Sequence, residues 1–318
     1  MRTIIKLSLA IFCLLPLLST AQQHPQYSLF MFNKQTINPA YVGSRGTFSI
    51  NSDYRTQWVK VDGNPETFNI GIHTPLGKGA TIPRIAAGLL FTQEEIGVQT
   101  RQGYAAQLAY RIPISKATVL SFGLEGSVFA VNFDNSNLRA EEDNDAVVDR
   151  LGESRTSKPN FSAGTYLYNP KYFLGFSSML LIDRDRDADD VSDVEFKRHF
   201  FAMGGYLFRL SESLKLRASL MGKYVGLQDV GDSPFSGDAN LSFILNDRFL
   251  LGASYRSDNS LIATAQIQLN SFLNVAYGFD FKTSDYAQAA GVSHEIFLGI
   301  DIAGKSGPLT SPRFVSYF

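Results

Sequence analysis

Apolar and polar residues alternate at every step between Phe272 and Phe281. The apolar side carries Leu273, Val275, Tyr277, Phe279 and Phe281, and the other side carries Asn274, Ala276, Gly278 and Asp280. Period two is the period of a β-strand, whose successive side chains point to opposite faces. About ten residues also cross the hydrocarbon of a bilayer as a tilted strand. The pattern therefore predicts a strand between an apolar medium and a polar interior.

Segments with the same alternation recur along most of the chain. About fourteen can be counted, and closure of a bacterial antiparallel barrel requires an even number. Clear examples begin at Phe48, Phe68 and Leu120, and the last one, Glu295 to Ile302, is placed to pair with the first. The sequence predicts an all-β fold, a transmembrane antiparallel β-barrel of about 14 strands that spans residues 46–303.

The beginning of the chain has the features of an export signal. Arg2 and Lys6 precede or border an apolar run from Leu7 to Leu18, which is shorter than the ~20 residues of a spanning helix. We expect a signal peptide at residues 1–21. Because Cys13 lies within it, the mature chain would have no disulfide and no thiolate metal site.

The connections between the alternating segments differ in length. Tight connections of turn-forming residues are predicted on the periplasmic side, near Ser115, Asn169, Ser211 and Asn246. Longer connections, residues 134–158, 182–197 and 228–237, are predicted outside.

The polar faces of these segments carry charges of both signs. We expect these side chains to line the lumen: Arg55, Arg111, Lys215, Arg217, Lys223, Asp53, Glu125, Asp280 and Asp301. Because an ion-selective pore usually has one dominant sign at its constriction, mixed charges favour an interior with ion pairs or a plug.

Composition adds two constraints. The chain has 14 Tyr and 25 Phe against a single Trp, which is consistent with aromatic girdles at the edges of a barrel. The formal net charge is −1, and removal of Arg2 and Lys6 with the signal peptide would leave −3. Nothing in this balance indicates nucleic-acid binding.

Candidate chemistry is sparse. The acidic run from Asp183 to Glu195 lacks the glycine and glutamate spacing of an EF-hand loop, so a solvated external loop is favoured over a calcium site. The sequence Ser293-His294-Glu295 does not predict a catalytic triad, because neighbours in a strand face opposite sides. A membrane-embedded hydrolase would need Ser and His from different strands. No phosphate-binding loop, dinucleotide fingerprint or zinc spacing is present, and we expect no enzyme, no cofactor and no metal site.

Several short motifs resemble those of one family. They are Gln26–Asn33 (QYSLFMFN), Ile37–Gly43 (INPAYVG), Arg55–Trp58, Gly63–Pro65, Val131–Phe133, Gly252–Arg256, Tyr277–Asp280 and Ser293–Ile296. With them the chain resembles the PorP/SprF family of outer-membrane proteins of the bacterial type IX secretion system, over nearly the whole mature length. At Tyr277–Asp280 the sequence Tyr-Gly-Phe-Asp departs mildly from the family's frequent Tyr-Ser-Tyr-Asp.

The resemblance implies a non-enzymatic barrel in the outer membrane of a Gram-negative cell. Such a barrel supports export or surface attachment of secreted proteins or gliding adhesins. The implied partners are a ring-forming lipoprotein complex, a peptidoglycan-binding lipoprotein, a secreted or adhesin client and outer-membrane lipid. The alternative is a porin-like small-solute channel, which needs an open lumen and no protein partner.

The chain ends carry the candidate partner-docking or plug residues. Six lie in a predicted periplasmic N-terminal arm, residues 22–45: Tyr27, Phe30, Asn33, Asn38, Pro39 and Tyr41. For the motif around Asn38 a fixed plug or turn is favoured over a docking epitope, with Pro39 holding the preceding residue extended. Phe314 and Phe318 lie in a predicted periplasmic tail, residues 304–318, which would enter the barrel mouth, bind a partner or assist membrane assembly.

Overall fold

Fourteen antiparallel strands pair in chain order and close into a barrel in the computed structural model, which describes residues 25–77, 82–133, 155–184, 196–226, 235–283 and 290–302. The strands are β1 (Phe48–Thr56), β2 (Glu66–Leu76), β3 (Ile85–Ile96), β4 (Gln99–Pro113), β5 (Val119–Phe133), β6 (Arg155–Tyr168), β7 (Tyr172–Met179), β8 (His199–Arg209), β9 (Leu214–Val225), β10 (Phe235–Leu245), β11 (Phe249–Arg256), β12 (Ser260–Gln268), β13 (Leu273–Lys282) and β14 (Ser293–Ile302). The predicted all-β barrel of about 14 strands is confirmed.

The first and last strands close the cylinder. β1 pairs with β14 along its whole length, from Phe48 opposite Ile302 to Thr56 opposite His294. Closure leaves no sheet edge with unpaired backbone groups, which is the condition for crossing a bilayer with strands. The predicted pairing of these two strands is thus confirmed.

Side chains alternate between the two faces of the wall. In β13, Tyr277 and Phe279 are exposed outward, whereas Ala276 and Asp280 are buried inward. Many large apolar side chains are exposed on the outer face, such as Leu124 at 68% exposure. An apolar belt of this extent is suited to lipid rather than to water. None of the helical turns in the described part of the chain approaches the length and hydrophobicity of a membrane-spanning helix.

The two ends of the barrel differ in their connections. We call one the turn end, because short turns there join β4 to β5, β6 to β7, β8 to β9, β10 to β11 and β12 to β13. The opposite one is the loop end, where the predicted long loops lie largely outside the described residues. The four predicted tight turns are all at the turn end. At the same end, β2 extends through Pro75, which pairs with Ala86 of β3.

The inner face of the wall has two sectors. Strands β6 to β9 contribute apolar inward side chains, including Tyr166, Phe173, Phe201 and Met203. Strands β1, β10, β11, β13 and β14 contribute most of the buried ion pairs. The lumen therefore offers an apolar surface opposite a charged one.

Candidate functional site

The lumen is occupied by the chain's own residues 25–45, which we call the lumen segment. Residues 27–44 are all buried. Near its start, Gln26 Nε2 lies 3.4 Å from Ser236 Oγ close to the loop end of β10. Near its end, Arg45 Nη2 lies 2.9 Å from Asp301 Oδ2 at the turn end of β14. The segment therefore runs through the barrel from the loop end to the turn end.

The predicted site residues at the N-terminal side all fall in this segment. Tyr27, Phe30, Asn33, Asn38, Pro39 and Tyr41 are each buried inside the barrel. The sequence assigned residues 22–45 to an arm in the periplasm, but the described part of that range lies within the lumen. The lumen position could not be derived from the sequence, because contacts such as those of Ser28 with Glu295 and of Tyr27 with Arg256 join residues more than 200 positions apart. Phe314, Phe318, the rest of the predicted tail and the predicted signal peptide lie outside the described residues.

A carboxylate of β14 binds two consecutive backbone amides of the lumen segment. Glu295 accepts a hydrogen bond at Oε2 from the Ser28 amide, at 2.6 Å, and at Oε1 from the Leu29 amide, at 3.0 Å. Arg55 lies opposite Glu295 in the β1–β14 register, and its Nη1 is 3.2 Å from Oε2. Arg55 Nη1 also donates to Ser28 Oγ. One inward ion pair thus fixes the backbone of the segment.

A second buried ion pair continues this network. Arg256 Nε lies 2.7 Å from Asp238 Oδ1, its cross-strand neighbour in the β10–β11 pair. Asp280 Oδ2 is 3.3 Å from Arg256 Nη1 and 2.9 Å from Arg55 Nη2, so it bridges the two guanidinium groups. Arg256 Nη2 donates to the backbone carbonyl of Tyr27 at 2.8 Å. We call Arg55, Asp238, Arg256, Asp280 and Glu295 the charged cluster.

Asp53 and Asn69 hold side chains of the lumen segment against β1 and β2. The Tyr27 hydroxyl donates to Asn69 Oδ1 at 3.1 Å. Asn69 Nδ2 in turn donates to Asp53 Oδ1 at 3.0 Å, and Asn33 Nδ2 donates to the same oxygen at 3.3 Å. Two of the predicted site residues thus share one pair of cross-strand partners.

A glutamine pair holds the middle of the segment. Gln35 Nε2 donates to Gln107 Oε1 at 3.0 Å, and Gln107 Nε2 donates back to the Gln35 carbonyl at 3.1 Å. Gln107 Nε2 also lies 2.6 Å from Glu125 Oε2, which is its cross-strand neighbour. Both side-chain amides are buried away from solvent, so these hydrogen bonds within the protein take the place of hydrogen bonds to water.

Inward glycines make room for the segment. A Cβ at Gly123 would overlap the backbone nitrogen of Ala40, and a Cβ at Gly71 would overlap the side chain of Gln35. Gly164 and Gly175 likewise adjoin the Asn38 side chain. Inward glycines, which help a sheet to curl, here also allow close approach of a second backbone.

Asn38 connects this glycine surface to a short 3₁₀ turn, Pro39–Tyr41. Its backbone is extended, with φ −151° and ψ 109°, as the following proline requires. Asn38 Oδ1 accepts from the Ala40 amide at 2.9 Å and caps the turn. Asn38 Nδ2 donates to the Thr165 carbonyl at 3.0 Å, on β6. One side chain therefore both starts the turn and binds it to the wall.

The segment ends against the turn end of the barrel. The Tyr41 ring makes edge contacts with Tyr166 and His73, at centroid distances of 5.5 and 5.6 Å. The Gly43 amide donates to His73 Nδ1 at 3.3 Å, and Arg111 Nη1 donates to the Gly43 carbonyl. These contacts fix the approach to β1.

At the loop end, residues of the β7–β8 connection fold inward and cover the lumen segment. Leu180 and Phe196 flank the β7–β8 connection and are 2% and 0% exposed. The Arg101 guanidinium lies 4.8 Å from the Phe129 ring centroid and 4.9 Å from that of Phe196.

Two cavities beside the lumen segment have volumes of about 50 and about 10 Å³. Such volumes hold a few waters at most.

Eight of the nine predicted lumen charges are buried inside the barrel. They are Arg55, Arg111, Arg217, Lys223, Asp53, Glu125, Asp280 and Asp301. Lys215 is half-buried at the turn end, where its Nζ lies 2.6 Å from Asp247 Oδ1. The prediction omitted Arg256, Asp238 and Glu295, although each continues the inward alternation of its strand. Following the alternation to the strand ends would have identified them.

The histidine next to Ser293 has no catalytic arrangement. Ser293 and Glu295 are buried inward, whereas His294 faces outward and its Nδ1 lies 2.6 Å from the Tyr277 hydroxyl. In the ranges that the structure describes, His, Cys, Asp and Glu side chains form no group of three suited to a metal ion. Most of the acidic run 183–195 lies outside those ranges.

A small charged group lies at the loop end, between the β11–β12 connection and the last residue of β13. Asp258, between β11 and β12, accepts from the Ser260 amide at 3.1 Å and lies 3.1 Å from Lys282 Nζ. Partial burial disfavours its ionised form, but hydrogen bonding with the Ser260 and Lys282 side chains and the charges of Arg256 and Lys282 outweigh burial and lower the pKa of Asp258. Lys282 Nζ also lies 5.6 Å from the centroid of the Trp58 ring.

Comparison with known families decides the identity of this barrel. The model of a family described as type IX secretion system membrane protein PorP/SprF matches residues 19–300. The chain belongs to the PorP/SprF family. The resemblance predicted from its motifs is confirmed, and a PorP/SprF chain with a closed barrel and an apolar outer belt is an outer-membrane protein.

The chain is also similar to solved structures at low identity. The Acinetobacter baumannii outer membrane protein Omp33 is 10% identical, with 80% of this chain and 99% of that chain covered and a TM-score of 0.45. The Ralstonia pickettii toluene transporter TbuX is 10% identical, with coverages of 86% and 93% and a TM-score of 0.46. The monoaromatic hydrocarbon channel CymD is 11% identical, with coverages of 86% and 93% and a TM-score of 0.49. No curated protein sequence matches this PorP/SprF chain.

Proposed function

We propose that this PorP/SprF protein is a plugged, non-conducting and non-enzymatic barrel of the type IX secretion system. It would dock a secreted protein or gliding adhesin to the machinery and so support export or surface attachment. The observation that carries the proposal is the occupied lumen. A barrel of 14 strands is wider than the small barrels whose interiors side chains alone fill, yet here a backbone segment fills it.

The occupied lumen argues against the porin-like alternative. A small-solute channel needs a continuous water-filled path. The two cavities described beside the lumen segment have volumes of only about 50 and about 10 Å³. The segment is also held by hydrogen bonds to buried wall side chains, namely from its amides to Glu295, which is paired with Arg55, and from Gln35 to Gln107. Departure of the segment would leave these buried polar groups without their hydrogen-bond partners, which is costly and favours a permanent plug.

The arrangement of the two ends supports an orientation for docking. Short turns at one end are typical of the periplasmic side, and long loops are typical of the external side. In this orientation the loops would hold the client. The turns would face the ring-forming lipoprotein complex and the peptidoglycan-binding lipoprotein.

Planar-bilayer recording of the purified protein tests the plug. We expect no stable conductance from the unmodified barrel. Ion-selective steps from the unmodified barrel, comparable to those of a porin, would reject the proposal and support the channel. Variants that displace the lumen segment, described in the Discussion, provide the positive control because they should conduct.

Affinity purification from outer membranes tests docking separately. The tagged barrel should recover type IX components or one secreted client, identified by mass spectrometry. A tagged unrelated porin of similar abundance is the control. Equal recovery with both baits, together with a silent bilayer, would leave the plug intact and reject the docking role.

A further inference from the structure

A long apolar groove crosses the outer face of the barrel between β3 and β10. Its volume is about 950 Å³, within the range of about 300 to 1,000 Å³ typical of small-molecule pockets. Small outward side chains form its floor: Ala163, Thr165, Ser178, Ala202 and Gly222. Large side chains, among them Phe122, Phe200 and Phe235, form its walls.

The groove follows from the registers of four strands. Ala163 of β6 lies opposite Ser178 of β7, and Ala202 of β8 lies opposite Gly222 of β9. Small side chains are therefore neighbours across the sheet, where large ones would fill the surface. A Cβ at Gly222 would come within 3.2 Å of the Phe235 ring, so the glycine allows that ring to lie against the sheet.

The position of the groove limits what fills it. Its floor and walls face outward on the belt that meets the hydrocarbon of the membrane, and its lining is almost entirely apolar. Water is disfavoured in such a groove, so apolar matter occupies it. The groove begins at the turn end beside Ile85, and there Arg84 Nη1 lies 3.5 Å from the Tyr110 hydroxyl.

Exposed cations lie along the turn end of the barrel, where the groove begins at Ile85. The turn-end residues from the β2–β3 connection to the end of β8 include four exposed cations, Arg84, Lys116, Lys171 and Arg209. Within the described residues of these connections there is no acidic side chain until Glu212. An apolar groove with cations at one end complements a molecule that has an apolar chain and an anionic head.

We propose that this groove binds a glycerophospholipid of the leaflet at the turn end. An acyl chain lies between the aromatic walls, and the phosphate lies against Arg84 and the neighbouring turn-end cations. Basic side chains at headgroup depth stabilise anionic lipids by electrostatic attraction. The site does not depend on the docking function, because it needs only a barrel in a membrane.

Tryptophan quenching by brominated lipid tests the site. The chain has one Trp, so Trp58→Phe provides a background in which a single introduced reporter is observed. Phe122→Trp places the reporter in the groove, and Phe243→Trp places a matched reporter on the outward face of β10. Each protein is reconstituted in phosphatidylcholine vesicles with increasing dibrominated phosphatidylglycerol.

We expect the groove reporter to select the anionic lipid by about five-fold over phosphatidylcholine, the effect of one well-placed cation. At the Phe243→Trp reporter, the ratio of the affinity for phosphatidylglycerol to that for phosphatidylcholine should be near one. Arg84→Gln combined with Lys171→Gln should bring the groove ratio close to one. Arg248→Gln, at the turn end on another side of the barrel, should leave it unchanged.

Equal ratios at the two reporters would overturn the proposal. So would a groove reporter that brominated lipid does not quench, because a partner segment or a second barrel would then cover the groove. If Phe122→Trp does not fold, as judged by heat-modifiable migration, Leu124→Trp on the same wall replaces it.

Discussion

Glu295 Oε2 lies 2.6 Å from the backbone nitrogen of Ser28, although 267 positions separate the two residues. This contact joins the last strand of the barrel to the segment that precedes the first. The carboxylate is fully buried and is balanced by Arg55, its neighbour across the sheet. The lumen segment is therefore held through its backbone by a charge that is in place only once the barrel has closed.

Glu295→Gln should release the start of the lumen segment. A glutamine amide retains one acceptor oxygen for two backbone donors, and its loss of charge leaves Arg55 less compensated. Breaking a buried pair costs about 3 kcal/mol or more. We expect a lower thermal midpoint and faster maleimide modification of a Val42→Cys reporter, a position that is buried in the unmodified protein.

Glu212→Gln is the control for this change. Glu212 is exposed in the β8–β9 turn, so its replacement should leave both the midpoint and the maleimide reactivity of the Val42→Cys reporter unchanged. Equal behaviour of the two variants would show that Glu295 does not hold the segment.

Gly123→Ala should displace the middle of the segment. A Cβ there would overlap the backbone of Ala40, and backbone atoms have little freedom to move aside. Gly126→Ala on the same strand is the matched control, since its Cβ would meet only the Phe161 ring at 3.8 Å. In planar bilayers we expect conductance from Gly123→Ala and silence from Gly126→Ala. Silence from both, in folded protein, would contradict a plug seated on Gly123.

The strands could be predicted because their pattern is local. In β13 and β14, apolar and polar residues alternate, so the residue type of each position and of its two neighbours shows which face it lies on. The strand positions, the β1–β14 pairing and most of the lumen charges follow from this period of two. The same reasoning separates Ser293 and Glu295 from His294.

The lumen segment could not be placed in this way. Residues 27–33 form a largely apolar stretch without alternation, and their position depends on partners such as Glu295 and Arg256 that are distant in sequence. From the sequence alone, an inward glycine such as Gly123 indicates only the curvature that barrel closure requires. Its second role appears only when the backbone of Ala40 is placed against it.

Asn38→Asp should destabilise the protein more than Asn38→Ala. Alanine loses the cap of the 3₁₀ turn, worth about 1 kcal/mol, and the bond to the Thr165 carbonyl. Aspartate retains the cap but directs a buried carboxylate at that carbonyl and at the one of Phe176. Urea unfolding of the reconstituted barrel measures the free energy of unfolding of each variant and so tests this order of stabilities.

Asn270→Asp is the matched control for the aspartate variant. In the β12–β13 turn the Asn270 side-chain oxygen accepts from the amides of Phe272 and Leu273, a geometry that a carboxylate satisfies equally well. Its replacement should therefore be nearly neutral. If Asn38→Asp is also neutral, then the Asn38 amide nitrogen does not bind the wall.

The proposed orientation is checked by cysteine labelling on intact cells. Since Cys13 lies in the predicted signal peptide, single cysteines introduced into the mature chain act as unique labels. Asp62→Cys at the loop end should react with a membrane-impermeant maleimide, because Asp62 is exposed between β1 and β2. Lys116→Cys in the β4–β5 turn should react only after the outer membrane is permeabilised. The reverse labelling pattern would show that the turn end, rather than the loop end, faces the outside of the cell.

The lowered pKa of Asp258 predicts a small pH-dependent stability. A carboxyl group whose folded pKa is below its unfolded value stabilises the fold above the unfolded pKa, near 3.8, and loses this effect as pH falls through the folded value. Because its ion pair with Lys282 is partly exposed, Asp258→Asn should cost about 0.5 kcal/mol or less at pH 7. The difference from the unmodified protein should vanish near pH ~2, below the usual range of carboxyl pKa values, measured as thermal midpoints in the same detergent. A constant difference across this range would assign the effect of the substitution to the Ser260 hydrogen bond rather than to charge.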